Sequence, residues 1–326
     1  MAEQHPIALQ RPGSIVIAVL TYRRTEDLRM VLPRLAEQAH SVSDAAAGTV
    51  RPQILVIDND PAASGRSTVE AVAAAFKPGL ITYIHEPKPG IAAARNRALA
   101  QSAFADLLIF IDDDEMPYGR WLAHLVNLQR ATGASAVVGP VISDYQDEPD
   151  AWITAGRFFE RRRLATGTPL TVAATNNLLL SVPKVRELNL EFDERFGLSG
   201  GSDTLFTRQL VRRGGTMLWC DEATVVDRVP TMRLTRGWVL RRALRSGNSA
   251  ARVSLELERT AGRRLAARSA SLISGLIRLA GGAGQMALGL LAGSTTHEAR
   301  GFRTAARGLG MASGAFGYVY QEYKRM

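Results

Sequence analysis

The sequence predicts an α/β domain with a mostly parallel central sheet, followed by a helical appendage. Continuous apolar runs rich in β-branched residues are typical of strands that are covered on both faces of a parallel sheet. In the first third of the chain, four such runs alternate with helical patterns. Strands joined in this way by helices form a parallel sheet with right-handed crossovers. From residue 235 onward the pattern is helical and basic, which predicts the appendage.

The predicted elements of the first third follow one another closely. The four strands and the three helices between them are expected at these positions: strands 14–20, 53–58, 80–84 and 107–111, and helices 26–39, 66–76 and 91–102. Thr25 is predicted as the N-cap of the first helix, because a threonine hydroxyl can accept hydrogen bonds from the free amides of a first turn. Glu26 and Asp27 suit the positive end of the same helix.

Beyond residue 112 the alternation of strand and helix becomes irregular. The sequence predicts a helix over 117–131, a strand over 136–143 and a polar, arginine-rich segment over 144–168. It then predicts a strand over 171–180, a helix over 203–213 and two short strands over 216–219 and 224–228. Gly214 and Gly215 are expected to end the helix over 203–213. The predicted organisation is an α/β domain over 1–232 and a basic helical region over 233–326.

The composition is that of an ordinary folded protein. Apolar residues make up 46% of the chain and charged residues 22%, as in globular domains. The single cysteine, Cys220, excludes an intramolecular disulfide and fits a reducing compartment. The start MAEQHPIALQRPG lacks the basic and apolar regions of a signal peptide, so none is predicted. The five histidines share no ligand spacing, which argues against zinc, and PKPGIAAARN lacks the ending of a P-loop.

The net charge of +9 is concentrated towards the C-terminal end of the chain. Residues 1–150 carry 13 basic and 18 acidic side chains, whereas residues 233–326 carry 16 basic and 4 acidic ones. A basic region of this kind suggests nucleic acid, anionic lipid or an anionic substrate as its partner.

The segment 269–293 is apolar and rich in glycine, but it contains Arg278 and Gln285. Its length is sufficient for a spanning helix, which needs about 20 apolar residues. A central arginine, however, costs about 2.5–3.5 kcal/mol on insertion scales. We therefore expect helices that lie in or against a membrane surface, with arginines on anionic headgroups. A soluble helical subdomain packed on the α/β domain remains the open alternative.

Polar side chains follow three of the predicted strands at the point where each strand ends. Thr21 and Tyr22 follow the first strand, Asp58-Asn59-Asp60 ends the second, and Asp112-Asp113-Asp114-Glu115 follows the fourth. Ligands bind at the carboxyl ends of strands in open α/β sheets, so these side chains should converge. Crowded carboxylates are tolerable around a divalent cation, and oxygen ligands alone favour Mg²⁺ or Mn²⁺. The alternative is that the acids only cap a helix starting near Pro117, although one cap requires one acid.

Five motifs stand in a fixed order along the chain: TYRR at 21–24, DND at 58–60, PGIAAARNRAL at 89–99, LLIFIDDDEMP at 107–117 and GLSGGSDTLFTRQL at 197–210. The ordered set resembles the family 2 glycosyltransferases of the GT-A fold. The later text RVPTMRLTRGWVLRRALRSG is similar to the bacterial exopolysaccharide branch, which includes the succinoglycan-type glucosyltransferases. The resemblance covers roughly residues 14–250.

The resemblance implies a role for each matching residue. Asp112 and Asp114 match the D-x-D motif, in which the first acid faces the ribose or the metal and the second coordinates Mn²⁺ or Mg²⁺. Asp203 matches the general base of the inverting members. Further donor-binding residues are implied: Thr21 and Tyr22 as a wall of the base pocket, Asp58 as the partner of a uracil base, Arg95 as a nucleotide contact, and Asp113 between the D-x-D acids.

From the residues alone, plainer roles stay open for several of these side chains. Asp203 could serve only the dipole of its helix, Asp58 could close a turn with its neighbours, and Arg95 could be a solvated helix residue. The four tryptophans suit packing or stacking on an acceptor.

The chain departs from the family pattern at two places. Ser202 stands where the G-G-E-D motif has glutamate, so one acceptor-side carboxylate is missing. The Q-x-x-R-W motif of processive synthases is absent, which implies a single addition rather than polymerisation. Asp227 is the nearest candidate for an additional metal ligand.

The function that the resemblance implies is inverting transfer of a sugar from a UDP-sugar to a hydroxyl acceptor. The implied acceptor is a glycan or lipid-linked glycan of exopolysaccharide or cell-surface polysaccharide synthesis. The implied location is the cytoplasmic face of a bacterial inner membrane, and nucleic acid is not expected as a partner. Competing interpretations are a nucleotidyltransferase, for which the first strand lacks the glycine and lysine signature, a nucleic-acid-binding protein using the basic tail, and an inactive nucleotide-sugar-binding partner.

Overall fold

The computed structural model describes residues 13–45 and 50–320, and the chain forms two compact units. The first unit comprises the residues up to Ile142 with Arg161–Gly197 and Phe206–Asp227, and the second comprises Ser143–Glu160, Leu198–Leu205 and the chain from Arg228 onward. The domain boundary at residue 232 stays a prediction. The prediction that there is no signal peptide rests on the first 13 residues. Of these, residues 1–12 lie outside the described ranges.

The described strands are β1 (Ser14–Thr21), β2 (Arg51–Asp58), β3 (Ile81–His85), β4 (Leu107–Asp112), β5 (Glu115–Pro117), β6 (Ala136–Val138), β7 (Val141–Tyr145), β8 (Asn177–Ser181), β9 (Met217–Trp219) and β10 (Val225–Val229). The described α-helices are α1 (Thr25–Ala45), α2 (Arg66–Ala73), α3 (Ile91–Gln101), α4 (Trp121–Thr132), α5 (Ala151–Gly156), α6 (Val182–Glu187), α7 (Ser202–Arg212), α8 (Arg236–Glu256), α9 (Ala261–Leu291) and α10 (Thr295–Ala315).

The first unit contains a seven-stranded sheet in the order β3-β2-β1-β4-β8-β6-β9. The neighbours among β3, β2, β1 and β4 are parallel, β8 is antiparallel to both β4 and β6, and β9 is parallel to β6. The predicted α/β fold with a mostly parallel central sheet and a C-terminal helical region is therefore confirmed.

Both faces of this sheet are covered, which explains the unbroken apolar runs in the sequence. In β1 the odd-numbered residues from Ile15 to Val19 join the core shared with α1 and α4. The even-numbered residues from Val16 to Leu20 join the core on the opposite face, shared with α3 and α6. A strand that is buried on both faces has no solvent side, so it shows no polar alternation.

The largest local difference from the sequence prediction follows the acidic cluster. Glu115–Pro117 forms the short strand β5, which pairs antiparallel with β10, and the next helix begins only at Trp121. No side chain caps that helix through a hydrogen bond. The alternative in which the acids cap a helix starting near Pro117 is therefore wrong.

Smaller differences have local causes. The strand predicted over 136–143 divides into β6 and β7 around Gly139 and Pro140, because proline has no amide hydrogen to donate to a sheet. The strand predicted over 171–180 shortens to β8. The segment predicted as irregular contains α5, and α6 was not predicted. Thr25 is the first residue of α1 rather than its N-cap.

The second unit is built on the long helices α8, α9 and α10. Three glycines spaced by seven residues in α9, Gly275, Gly282 and Gly289, lie against the backbone of α10. Trp152 of α5 donates from its indole nitrogen to Glu298 of α10 at 3.2 Å and packs on Phe302. In the part of the chain that is described, no helix combines the length and apolarity needed to cross a lipid bilayer.

Candidate active site

The strand register brings the predicted polar residues to one edge of the central sheet. Thr21 at the end of β1 is the partner of Asp58 in β2, and Leu20 is the partner of Asp112 in β4. All three strands run parallel, so their carboxyl ends meet there. The expected convergence of the polar strand ends is confirmed.

Asp58 lies fully buried at the end of β2 and closes the turn that follows it. Its Oδ1 accepts from the amide of Asp60 at 2.9 Å, and its Oδ2 accepts from the amide of Gly65 at 2.8 Å and from the Tyr83 hydroxyl at 3.0 Å. A carboxylate offers about four acceptor positions, and three of them are used within the protein. Asp58 thus has the structural role that the sequence left open, and its implied contact with a base remains a prediction.

Asn59 fixes the loop that leads into α3. Its side-chain amide donates to the carbonyls of Glu86 and Lys88, both at 2.7 Å, and its Oδ1 accepts from the amide of Gly90 at 3.1 Å. Gly90 has φ 118°, a conformation that L side chains rarely adopt, so the helix entrance depends on glycine at this position. Sequence reasoning missed Asn59, although it stands in the quoted DND motif.

Arg95 of α3 stacks on an aromatic ring, and its charge acts on the acidic cluster. Its guanidinium lies over the Phe192 ring, 5.5 Å from the ring centroid. Its positive charge opposes the rise in the pKa of Asp112 that burial causes. The implied role of Arg95 as a nucleotide contact remains a prediction.

Arg24 bridges two members of the acidic cluster. Its Nη1 lies 2.7 Å from Oδ1 of Asp113 and 2.9 Å from Oδ2 of Asp114. Asp113 is almost fully buried, so this charge-assisted contact offsets much of the cost of burying its carboxylate. Arg24 was not among the predicted site residues, although it belongs to the quoted TYRR motif.

Burial and neighbouring negative charge raise the pKa values of three carboxyl groups in the cluster. Burial, and then the charge of Asp114, raise the pKa of Asp112 to about 6, although Arg95 and Arg24 oppose the rise. Burial also raises the pKa of Asp113 to about 7, against the effect of Arg24. The pKa of Glu115 lies well above its ordinary value, first because of burial and then because of Asp112. More negative charge is gathered here than the nearby arginines neutralise.

Glu115 and Asp227 face each other as partners in the β5–β10 pair. The Oε1 of Glu115 accepts from the Asn176 amide at 2.6 Å, and Asp227 forms an ion pair with Arg161 at 2.7 Å. Each of these two acids therefore has its own hydrogen-bond or ion-pair partner.

The donor set of the cluster fits a divalent cation. Its side chains offer only oxygen, and a hard cation would offset both the burial and the repulsion by Asp114 that raise the pKa of Asp112. Among the described residues, no group of three or more His, Cys, Asp or Glu side chains is arranged to hold a metal. Mg²⁺-type sites use one or two carboxylates with substrate phosphates, so Asp112 and Asp114 suffice for this kind of site.

Asp203 lies in the first turn of α7, in the second unit. Its Oδ1 accepts from the amide of Thr204 at 2.7 Å. The turn before it contains Gly200 and Gly201, with φ of 76° and 97°. In the same unit, Arg252 of α8 donates to the Ser199 hydroxyl at 2.6 Å, so α8 fixes the start of this turn. The base role of Asp203 remains a prediction.

The other predicted residues lie where packing places them. Thr21 is buried at the end of β1, and Tyr22 lies beneath the Arg23 guanidinium at 5.1 Å. Trp121 is fully buried and donates to Asn177 at 2.9 Å. Cys220 is buried as well, which agrees with its interpretation as a small apolar residue.

Comparison with known sequences gives a consistent relationship. The family model described as "Glycosyl transferase family 2" matches residues 16–188. The chain is 35% identical over 243 residues to the "Succinoglycan biosynthesis protein ExoM" of Rhizobium meliloti (strain 1021), covering 74% of this chain and 75% of that protein.

Comparison with solved structures supports the fold. The mannosyltransferase PcManGT from Pyrobaculum calidifontis, crystallised with GDP-Man and Mn²⁺, has a TM-score of 0.57 and 18% identity over 90% of this chain and 85% of that chain. TarS 1-349 of S. aureus, crystallised with UDP-GlcNAc, has a TM-score of 0.51 and 14% identity over 90% of each chain. At this identity the likeness is one of fold, and it confirms the GT-A expectation.

Proposed function

Because the chain belongs to glycosyl transferase family 2, we propose that it transfers a sugar from a UDP-sugar to a hydroxyl acceptor with inversion at the anomeric carbon. The observation that carries the proposal is the acidic cluster at the carboxyl edge of the sheet. Its excess negative charge suits a divalent cation, and a bound cation would in turn attract a diphosphate. The relative in Rhizobium meliloti is named for succinoglycan biosynthesis, which favours a polysaccharide acceptor.

In this proposal Asp112 and Asp114 would hold Mn²⁺ or Mg²⁺, and the charge of the bound ion would offset that of the leaving diphosphate. Arg95 adds positive charge on the same edge. Asp203 removes the proton from the acceptor hydroxyl as the hydroxyl attacks, which is general base catalysis. One displacement without a covalent intermediate inverts the anomeric centre, and the transition state resembles an oxocarbenium ion.

The proposal is tested by UDP release from several nucleotide sugars with Mn²⁺ or Mg²⁺. We expect release with at least one UDP-sugar, and a loss of about 100-fold or more in Asp114→Asn and Asp203→Asn, because each removes a group acting in the transition state. Glu37→Gln, an exposed charge change in α1, is the control. UDP release that Asp114→Asn leaves unchanged would contradict the proposal. The absence of UDP release with every donor would contradict it as well.

Metal binding has a readout that does not depend on activity. Mn²⁺ should raise the melting temperature of the protein, because a cation relieves repulsion in the folded cluster; saturation at 100 times Kd is worth about 2.7 kcal/mol. Asp114→Asn should remove most of this rise, whereas Glu37→Gln should keep it. An equal rise in Asp114→Asn would exclude the cluster as the metal site.

For the acceptor, we propose a lipid-linked glycan at an anionic membrane surface on the cytoplasmic side. Five of the seven large exposed apolar residues of α9 share one face at helical spacing, and this face lies opposite the glycines that contact α10. The members of this apolar face are Ile273, Leu276, Ile277, Leu288 and Leu291. An apolar helix face in a strongly basic region is typical of helices that lie in a membrane interface.

A further inference from the structure

The second unit contains a cavity of about 470 Å³ that is unusually rich in arginine. It lies among α8, α9 and α10, with Phe158 and Trp238 in its wall. Four guanidinium groups line the same space, and they come from all three helices: Arg242, Arg278, Arg303 and Arg307. None of these residues belongs to the acidic cluster or its neighbours.

Three of the four guanidinium groups of the cavity carry a charge that no carboxylate of the described residues pairs with. Burial, and then the charges of Arg307 and Arg300, lower the pKa of Arg303. Burial and then Arg278 lower the pKa of Arg307. Within the described ranges, no carboxylate forms an ion pair with Arg278, Arg303 or Arg307. Guanidinium groups stay charged in proteins, so the repulsion persists until an anion enters.

Aromatic rings hold two of the guanidinium groups in place. Arg242 lies over the Trp238 ring at 5.0 Å, and Arg303 lies over the Phe158 ring at 5.3 Å. Stacking uses the flat face of the Arg303 guanidinium and leaves its N–H donors at the edge, where they can reach a ligand. The side chains therefore lose little additional freedom when a ligand binds.

The helices that carry the arginines are in backbone contact, so the cavity is preformed. A side chain at Gly247 of α8 would lie 2.0 Å from the Arg307 carbonyl oxygen, and one at Gly308 of α10 would lie 2.5 Å from the Gly275 carbonyl oxygen. Such close approaches fix the spacing between α8, α9 and α10 around the cavity. A binding site needs this kind of rigid support for its charged groups.

We propose that this cavity binds a phosphoryl group, as a phosphate or diphosphate that is either free or attached to an apolar chain. Several arginine forks match the many oxygens of a diphosphate better than the two oxygens of a carboxylate. The aromatic and aliphatic wall suits an apolar chain next to the anion. The concave, helix-lined space suits a small ligand. The inference goes beyond the proposed glycosyl transfer and does not rest on it.

The test is calorimetric titration of the full chain with inorganic pyrophosphate and with geranyl diphosphate, in the presence of EDTA. Without a divalent ion, the acidic cluster repels a diphosphate and does not contribute. Arg303→Gln and Arg307→Gln should each weaken binding about tenfold, since each removes a charge-assisted contact. Arg268→Gln removes the same charge from α9 outside the cavity and should leave the affinity unchanged.

Each outcome of the titration has a meaning. Equal affinity for both probes indicates a free phosphoryl ligand, and tighter binding of geranyl diphosphate indicates a lipid phosphate. No binding of either probe, or an equal loss in Arg268→Gln and Arg303→Gln, overturns the proposal. Melting temperatures of the Gln variants should stay level or rise, because like-charge repulsion is removed, so lost binding is not lost folding. Their UDP release should equal that of the wild type, which separates this proposal from the proposed function.

Discussion

Arg24 is the cation that holds two carboxylates of the acidic cluster, and single-residue changes can measure this role. Arg24→Gln leaves the buried Asp113 without its counter-charge. We expect the free energy of unfolding to fall by about 1–3 kcal/mol, less than for a fully buried pair because Arg24 is partly exposed. Urea denaturation at constant m-value measures this loss.

The double variant Arg24→Gln/Asp113→Asn isolates the charge. A neutral amide at residue 113 needs no cation, so the double variant should recover part of the stability lost in the single one. Arg29→Gln, which breaks an exposed pair with Glu26, is the matched control and should cost at most about 0.5 kcal/mol. Strictly additive losses would mean that Arg24 and Asp113 do not stabilise each other.

The same residues mark the limit of what the sequence predicts about the site. The cluster Asp112–Glu115 follows from an apolar strand that ends in acids, which is a local pattern, and the family resemblance selects Asp112 and Asp114 within it. Arg24 meets Asp113 across 89 positions of the chain, and Asn59 meets Lys88 across 29. Such contacts depend on how the strands and loops pack, so no local pattern reveals them.

At the scale of elements, α9 and α10 are held together by glycines, and neighbouring glycines provide an internal comparison. A side chain at Gly282 would lie 2.4 Å from the Ala305 amide nitrogen, whereas one at Gly281 would meet nothing within 4 Å. Gly282→Ala should therefore force the helices apart and destabilise the protein by about 1–3 kcal/mol. Gly281→Ala should stabilise it by about 0.5–1 kcal/mol, because alanine favours the helix.

Chemical denaturation of the two variants decides this comparison. Opposite signs are expected, although the substitutions are identical and adjacent. If both variants gained stability, the backbones of α9 and α10 would not touch at Gly282. The result bears on function as well, because the same pair of helices carries Arg278, Arg303 and Arg307 around the cavity.

The elements also differ in how far the sequence predicts them. The strands β1 to β4 follow from long apolar runs, because burial on both faces selects such residues. The short strand β5 does not, because three residues carry no periodicity and β5 exists through its pairing with β10. The requirement for glycine at 139 is also set by tertiary structure, because a Cβ there would lie 2.0 Å from the Ala223 carbonyl oxygen, 84 positions away. Tertiary contacts decide these short elements.

For the molecule as a whole, the uneven charge of the chain agrees with the proposed membrane surface. Acidic residues exceed basic ones in 1–150, and basic residues exceed acidic ones fourfold in 233–326. Attraction to anionic lipid is worth about 1 kcal/mol for each basic residue near the surface and is screened by salt. Insertion of an apolar helix face adds a contribution that salt does not screen.

These two contributions can be separated by sedimentation with vesicles. The full chain should bind phosphatidylglycerol vesicles more tightly than phosphatidylcholine vesicles, and part of the binding should persist at high salt.

Ile277→Glu or Leu288→Glu, each two-thirds exposed on the apolar face of α9, should lower the partition coefficient about tenfold or more, because a buried side chain of this size is worth about 1.5–3 kcal/mol. Tyr118→Glu, an exposed position in the first unit, adds the same charge and should have little effect. Equal losses in all three variants would reduce the binding to electrostatics, and unchanged sedimentation of the α9 variants would exclude α9 as the membrane-facing helix.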